Sequence, residues 1–348
     1  MNDLTDLFGI RHPIVLGPFG GLSSVGLTAA VSEAGGLGSY GLYGYDATRI
    51  GDTAQQLRAA TDRPFAMNIW LPTGDEVAPN ARFDEYALAL APFFNEVGIR
   101  RPARPVRYLP PLAEQLDAIW DAAPAVLSCV YGAPSTQLVW QAHSRGIRVV
   151  GAATTVAEAI TLQRAGVDAI VATGSEAAGH RVSFLKPAED SLVGLFSLLP
   201  QVVDAVDVPV IAAGGIADRR GVAAAFALGA SGVQVGTAFL VTRDSAATDA
   251  HRAAIRRTSA DASVLTRAMS GRLARGARNR VVTEIEAADA IAPFPAQNWL
   301  TGRFRAVAGQ WGRGDLQSLW LGQSAPLARG ETAAEVFAEL AAGLPASD

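Results

Sequence analysis

Three kinds of residue are scarce in this chain: it has one cysteine, Cys129, one lysine, Lys186, and four histidines among 348 residues. A single thiol excludes an intramolecular disulfide and a multi-cysteine metal site, and it fits a reducing cytoplasm, which is the location we expect. One lysine makes Schiff-base chemistry a weak hypothesis. Four scattered histidines without paired carboxylates predict no metal site.

Long apolar runs and an excess of positive charge are also missing. No 18 consecutive apolar residues occur, and the acidic first residues lack the basic-then-apolar order of a signal peptide. The net charge of −4 argues against a basic surface that binds nucleic acid. We therefore expect neither a membrane nor a nucleic acid as a partner. With 49% hydrophobic residues, the chain can bury a large core.

What the chain does have is a regular alternation of short apolar segments and helical patterns. The apolar segments occupy residues 13–19, 36–41, 64–70, 125–132, 148–154, 169–174, 209–215 and 232–239. They are apolar throughout, which is typical of parallel strands buried on both faces. The helix after the sixth strand is predicted over residues 190–206. Eight strand–helix units in sequence predict an α/β fold of the (β/α)8 type, a TIM barrel.

Two stretches interrupt this alternation. Residues 71–121 are too long for an ordinary connection, and we expect an excursion that partly covers the barrel mouth. Residues 240–309 carry helical patterns and an arginine-rich turn at 270–280, whose arginines we expect to be solvated or ion-paired. We interpret this stretch as a small, mainly helical second subdomain inserted after the eighth strand. The barrel is then predicted from residues 1–239 and 310–348.

The ends of the seventh and eighth strands predict a phosphate-binding site. In such barrels the active site lies at the carboxyl ends of the strands, and phosphates bind after these two. The seventh strand ends in Gly214 and Gly215, and Gly236 and Thr237 follow within the eighth apolar segment. Glycine lets backbone N–H groups approach a ligand closely. No Rossmann fingerprint and no Walker loop is present.

Two amides are further candidates for ligand binding. Asn68 lies near the end of the third strand, where it could bond the edge of a heterocycle or cap a loop. Gln234 lies within an apolar strand, so its amide needs a partner, either a ligand or the backbone. The residues alone leave both alternatives open.

His180 is the candidate general base. It ends a loop of small residues after the sixth strand, and an imidazole titrates near neutral pH. Glu176 could orient this imidazole or pair with Arg181. We expect His143 to be structural and His251 to be solvated.

Together these residues resemble the nitronate monooxygenase family, formerly called 2-nitropropane dioxygenases, whose members are FMN-containing barrels. The resemblance runs over nearly the whole chain and is most specific at residues 174–181. It also includes residues 17–21, 68, 212–216, 234–239, 270–280 and 322–324.

The resemblance implies an FMN site across the barrel mouth. The phosphate would bind at the ends of the seventh and eighth strands, with Asn68 and the loop at 173–179 near the ring system. His180 matches the family's active-site histidine. The cofactor-binding residues that the resemblance implies are Pro18, Phe19, Gly20, Asn68, Thr173, Gly174, Ala178, Gly179, Gly214, Gly215, Gln234, Gly236, Thr237 and Gln323.

The implied activity is oxidation of an alkyl nitronate or a nitroalkane by molecular oxygen, with electrons passing through the flavin, to a carbonyl compound and nitrite. A protonated His180 would hold the nitronate anion, whereas a neutral one would remove the α-proton, and the sequence does not decide between them. The redox step belongs to the cofactor. A homodimer is a candidate assembly.

The chain departs from the family pattern at four positions. Thr173 stands where the family usually has Gln, Ala178 and Val182 stand where it has Gly, and Phe19 stands where it often has Met. Two other functions therefore stay open. One is an FMN-dependent NAD(P)H reductase, similar to the enoyl-acyl-carrier-protein reductases or to a quinone reductase. The other is a flavin-free barrel that binds a phosphate ligand without redox activity.

Overall fold

The structure, a computed structural model, describes residues 4–74 and 82–346. Eight parallel strands form a barrel. They are β1 (Ile14–Leu16), β2 (Gly38–Gly41), β3 (Phe65–Trp70), β4 (Val126–Val130), β5 (Arg148–Ala153), β6 (Ala169–Thr173), β8 (Val210–Ala213) and β9 (Gly232–Val235). The short β7 (Gly179–His180) lies outside the barrel, so β8 and β9 are the seventh and eighth barrel strands.

The barrel strands follow the order β1-β9-β8-β6-β5-β4-β3-β2, and every neighbouring pair is parallel. A parallel bridge between Val15 and Leu37 joins the two ends of this sheet. There the Leu16 N–H donates to the Leu37 carbonyl at 2.9 Å, and the Leu37 N–H donates to the Ile14 carbonyl at 2.9 Å. The sheet is nearly closed, and the predicted (β/α)8 TIM barrel is confirmed.

Helices surround the barrel. Several of them begin after a residue whose side chain accepts a hydrogen bond from a free N–H group of the first turn, as Asp218 does for the helix that starts at Arg219. The helices of the described residues are α1 (Leu4–Phe8), α2 (Val25–Glu33), α3 (Ala47–Ala60), α4 (Phe83–Ala89), α5 (Ala91–Glu96), α6 (Leu112–Ala122), α7 (Thr136–His143), α8 (Val156–Ala165), α9 (Leu195–Val203), α10 (Arg219–Ala227), α11 (Thr237–Leu240), α12 (Asp249–Arg257), α13 (Arg280–Ala287), α14 (Ala296–Gln310) and α15 (Ala333–Ala341). None of these is long and apolar enough to cross a membrane.

Alternate residues of each barrel strand face inward. Inward-facing Val15, Val150 and Ile211 form one buried cluster with Leu4 and Phe8 of α1, which closes the amino end of the barrel. The other strand face packs against the surrounding helices. Only the carboxyl ends of the strands are therefore left to form a mouth.

Two predicted boundaries are wrong. The strand predicted over 232–239 ends at Val235, because Thr237 already begins the buried helix α11. An apolar run alone does not distinguish a buried strand from a buried helix. The helix predicted over 190–206 begins only at Leu195, since residues 188–191 form a short 3₁₀ turn and Gly194 is the N-cap.

A second hydrophobic core joins α4 and α5 to the stretch after the barrel. The rings of Phe93 and Phe94 lie 5.4 and 5.8 Å from that of Phe304 on α14. The same stretch contains β10 (Ser263–Thr266) and β11 (Ala274–Ala277), which form an antiparallel sheet with β7. The predicted domain boundaries stay predictions, and residues 75–81 of the predicted excursion lie outside the described residues.

Candidate active site

One side of the mouth, here called the glycine rim, consists of Gly214, Gly215, Gly236 and Thr237 at the ends of β8 and β9. Gly214 and Gly215 have φ angles of +99° and +73°, which L side chains rarely adopt. A Cβ on Gly214 would lie 3.1 Å from the Ala177 nitrogen. Within the described ranges, the N–H groups of Gly215 and Gly236 have no acceptor. The glycine rim therefore offers free backbone donors to an anion.

A segment from the end of the chain fastens the glycine rim to the loop after β6. The Gln323 N–H donates to the Glu176 carbonyl at 3.0 Å, and the Gly322 N–H donates to Thr237 Oγ1 at 3.1 Å. The Ser324 hydroxyl donates to the Gly215 carbonyl at 2.7 Å. The structure thus brings Gln323 beside the predicted phosphate site, although some 90 residues of sequence separate it from β9.

The loop after β1 lies against the same rim. A Cβ on Gly236 would lie 3.5 Å from Phe19 Cε1, so the Phe19 ring covers this glycine. Ser23 fixes the loop, because its hydroxyl donates to the Phe19 carbonyl at 2.9 Å and accepts from the Phe19 N–H at 3.2 Å. Pro18 and Gly20 flank Phe19 at the mouth.

Asn68 and Gln234 both face the barrel interior, but they differ in their bonding. Asn68 is 3% exposed, and its Nδ2 donates to the Ser128 carbonyl and hydroxyl at 3.2 and 3.1 Å. The Asn68 side chain therefore bonds across from β3 to β4, and the alternative that it caps a loop is wrong. The Gln234 amide is partly exposed and makes no hydrogen bond in the described part of the chain. Its two polar ends are available to a ligand in the mouth.

His180 lies in β7 and not in an open loop, which corrects the sequence-based expectation. It pairs with Ala274 of β11, and the neighbouring Arg181 N–H donates to the Leu273 carbonyl at 2.9 Å. Its Nε2 lies 2.8 Å from the Ser270 hydroxyl. The arginine-rich stretch after the barrel therefore supplies the strand that holds this imidazole.

The surroundings of His180 favour a neutral ring. Burial, and after it the positive charges of Arg272 and Arg305, lower the pKa of His180 to about 3. Nε2 is engaged by Ser270, whereas Nδ1 has no hydrogen-bond partner among residues 4–74 and 82–346. An uncharged imidazole with one free nitrogen can accept a proton or a hydrogen bond.

Glu176 does neither of the two things expected of it. Its carboxylate accepts from the Leu195 N–H at 2.9 and 3.0 Å and so stabilises the start of α9. Arg181 is 1% exposed and donates to the Gly174 and Thr173 carbonyls at 2.6 and 3.1 Å. These bonds fix the path of the loop that carries Ala178 and Gly179, which has a φ of +72°.

The opposite side of the mouth, here called the aromatic rim, consists of Tyr43, Trp70, Tyr131 and Phe294. The Trp70 ring centre lies 4.3 Å from that of Tyr43, 4.9 Å from that of Tyr131 and 5.7 Å from that of Phe294. The same ring lies 4.9 Å from the His180 imidazole. His180 therefore stands at the edge of an aromatic surface.

Arg272 covers two rings of the aromatic rim. Its guanidinium carbon lies 4.1 Å from the Tyr131 centroid and 3.9 Å from the Phe294 centroid, and Nη2 donates to Thr73 at 2.6 Å. Sequence reasoning missed this arginine, the aromatic rim and Ser270 as site residues. Trp70 at the end of β3 and the arginine-rich turn were the available signals.

Several side chains proved to be structural. His251 is 1% exposed and bonds the Trp320 carbonyl at 2.8 Å, so the expectation that it is solvated is wrong. His143 pairs with Asp168 at 2.8 Å, as a structural histidine would. Arg278 and Arg280 of the arginine-rich turn are ion-paired as expected. Arg275 is 7% exposed and donates to the Ser175 carbonyl at 2.9 Å, so it is buried and hydrogen-bonded and not solvated. The described residues contain no cluster of His, Cys, Asp and Glu suited to a metal.

Known proteins share this architecture and sequence. A family model of the nitronate monooxygenases matches residues 1–343. A probable nitronate monooxygenase of Staphylococcus aureus (strain Newman) is 38% identical over 329 residues, which are 94% of this chain and 92% of that protein. Nitroalkane oxidase from Streptomyces ansochromogenes superposes with a TM-score of 0.87 at 34% identity, covering 98% of this chain and 97% of that one. FabK from Thermotoga maritima superposes with a TM-score of 0.75 at 30% identity, covering 97% of this chain and 94% of that one.

The barrel and these relatives define the class of the protein, a (β/α)8-barrel oxidoreductase. The chain belongs to the nitronate monooxygenase family. It is a flavin oxidoreductase of that family.

Proposed function

We propose that the protein binds FMN and oxidises alkyl nitronates or nitroalkanes with molecular oxygen to a carbonyl compound and nitrite. One observation carries the proposal: the barrel mouth has free backbone donors on its glycine rim and, on its aromatic rim, the His180 imidazole 4.9 Å from the Trp70 ring with Nδ1 free among the described residues. Such a mouth suits a phosphate-bearing flat cofactor and a small anionic substrate.

The residues of the mouth fit FMN. The free N–H groups of Gly215 and Gly236 would hold the phosphate, and the Gln234 amide would bond the edge of the ring system. Phe19, Thr173 and Ala178 would line the same site. When bound, FMN supplies the redox chemistry by taking electrons from the substrate and passing them to oxygen.

In this proposal His180 acts as a base and not as a cationic anchor. Its low pKa keeps the imidazole neutral over the ordinary pH range. The free Nδ1 would accept the α-proton of a nitroalkane, or a hydrogen bond from the substrate. An anion bound beside the ring would raise the pKa of His180 again and so make proton uptake easier.

Positive charge for an anionic substrate comes from arginine in this proposal. Burial lowers the pKa of Arg305 to about 10, so its guanidinium stays charged at neutral pH. Arg272 lies over the aromatic rim, and both cations act on His180. The Arg305 guanidinium would therefore attract a nitronate in the mouth without a protonated histidine.

Anaerobic mixing tests the function directly. We expect the purified protein to be yellow and its flavin band to bleach rapidly with a nitronate such as that of 2-nitropropane. Rapid bleaching by NADPH or NADH but not by nitronates would instead establish a reductase. A colourless protein that binds no added FMN would contradict both.

The remaining expectations are part of the same proposal. Oxygen and a small nitronate or nitroalkane are the proposed partners. Cys129 is fully buried, and burial raises the pKa of its thiol to about 12, so it plays no part in the chemistry. The cytoplasm as location and a homodimer as assembly stay predictions.

A further inference from the structure

A chain of hydrogen bonds leads from α14 to the aromatic rim. Arg305 Nη2 donates to Asn298 Oδ1 at 2.7 Å, and Asn298 Nδ2 donates to the Tyr43 hydroxyl oxygen at 2.9 Å. Arg305 Nη1 also donates to the Ser318 hydroxyl. The proposed function above uses the charge of Arg305 but none of these hydrogen bonds.

The direction of each bond follows from the chemistry of the groups. A guanidinium has no acceptor, so Asn298 must turn its carbonyl oxygen toward Arg305 and its NH2 toward Tyr43. The Tyr43 oxygen is therefore an acceptor in this bond, and its own hydrogen remains available. Within the described ranges the Tyr43 hydroxyl has no other partner. Tyr43 is partly buried, and a hydroxyl hydrogen without an acceptor in such a place costs free energy.

The position of Tyr43 points to a ligand as that acceptor. Its ring contacts Trp70, which in turn contacts His180, and its Cβ would touch a Cβ built on Gly20 at 3.5 Å. Arg272 and Arg305 act on Tyr43 as they do on His180, so the two residues share one electrostatic environment. Burial raises the pKa of Tyr43 to about 12, so the phenol keeps its proton at neutral pH.

We propose that the Tyr43 hydroxyl donates a hydrogen bond to an oxygen atom of the anionic substrate, with Asn298 and Arg305 as positioning residues that aim it. This assignment rests on the proposed function for the identity of the substrate. It adds a binding group to the side of the mouth opposite the glycine rim and limits substrates to those with an oxyanion near the aromatic rings.

Binding of nitrate to the flavin-loaded protein tests the assignment without turnover. Nitrate is a planar oxyanion, and calorimetry or the perturbed flavin spectrum reports its Kd. We expect Tyr43→Phe to weaken nitrate binding about 10- to 100-fold, the range for a hydrogen bond to a charged group. The matched control is Tyr45→Phe, whose hydroxyl contacts Tyr40 and Arg49 and not the mouth, and which should leave the Kd unchanged.

Asn298→Asp tests the positioning role. An aspartate would still accept from Arg305, but it would also accept the Tyr43 hydrogen and so turn it away from the ligand. We expect a loss of nitrate affinity similar to that of Tyr43→Phe, and no further loss when the two changes are combined. An equal loss in the Tyr43→Phe background would show simple charge repulsion and overturn the positioning role.

Failure of this inference differs from failure of the proposed function. If Tyr43→Phe binds nitrate as tightly as the parent protein, or if the parent binds no nitrate, the donor assignment is wrong even when nitronates are oxidised. If nitronates fail to bleach the flavin but nitrate binding still depends on Tyr43, the proposed substrate is wrong and the oxyanion site stands.

Discussion

The glycine rim and the aromatic rim face each other across one barrel mouth, but they are built in opposite ways. The glycine rim presents backbone N–H groups at the ends of β8 and β9, and its residues are neighbours in sequence or in the sheet. The aromatic rim presents side chains from loops after β2, β3 and β4 and from the stretch after the barrel. Backbone donors suit a cofactor phosphate, whereas side chains can adapt to a particular substrate.

The largest effect is expected from Gly215→Val. Valine at a φ of +73° is strained by roughly 1–2 kcal/mol or more, and relieving the strain would turn the N–H groups of the glycine rim away from a phosphate. We expect the variant to be purified without flavin and to be inactive, as measured by the ratio of flavin to protein.

Gly146→Val is the matched control for that change. Gly146 has the same φ of +73°, has open space at its Cβ and follows α7, away from the mouth. Both variants should lose similar stability, but Gly146→Val should keep its flavin. If both bind flavin normally, the glycine rim is not the phosphate site.

His180→Ala should affect turnover and leave the cofactor in place. Loss of a general base typically lowers the rate about 10²- to 10⁴-fold. We expect kcat with a nitroalkane to fall within that range, while the flavin spectrum and content stay normal. His143→Ala removes an imidazole that pairs with Asp168 outside the mouth and should keep full activity. Unchanged turnover in His180→Ala would refute the role of this ring.

Two amide substitutions should separate binding from folding. Gln234→Leu removes no hydrogen bond among the described residues, so it should weaken FMN binding by about tenfold and leave the flavin-free protein as stable as before. Asn68→Leu removes both side-chain hydrogen bonds to Ser128 inside the barrel and should cost about 1–3 kcal/mol of unfolding free energy. FMN titration and urea unfolding measure the two effects, and the reverse pattern would contradict our assignment of Gln234.

A gradual effect, spread over more than one pH unit, is expected from pH. His180 and His251 have pKa values lowered to about 3 and about 4, so the unfolded chain takes up more protons than the folded one below pH 6.5. The free energy of unfolding should therefore decrease as the pH falls from 6.5 to 5, by at most about 2 kcal/mol for each histidine. Over the same range kcat/KM should show no acid limb from His180. A limb near pH 6.5 that is absent in His180→Ala would contradict the neutral imidazole.

Much of the fold could be predicted because its signals are local. Runs such as residues 148–154 are apolar throughout, and only a parallel sheet covered on both faces accounts for eight of them. Where local signals are ambiguous the prediction failed. The apolar run at 232–239 contains both β9 and the start of α11, and nothing in its composition marks the change at Gly236.

The residues of the candidate site also differ in whether a local sequence signal indicated them. The glycines at 214, 215 and 236 could be identified from the sequence because they follow the apolar runs of the seventh and eighth strands, where barrels of this type bind phosphate. Arg272, Phe294 and Asn298 could not be identified, because each is far along the chain from the loop it meets. His180 was identified as a candidate, but its strand partner β11 lies more than 90 residues later and could not be read from the residues around it.

The order of residues was enough to specify a parallel barrel, the ends of its strands and one histidine placed among them, since hydrophobic period and glycine position act over a few residues. Whether that histidine carries a charge depends on the tertiary structure. Its low pKa comes from burial and from two arginines 92 and 125 positions away, which the folded chain alone brings to the same ring. Electrostatic interactions depend on distance through space, and the sequence records only distance along the chain.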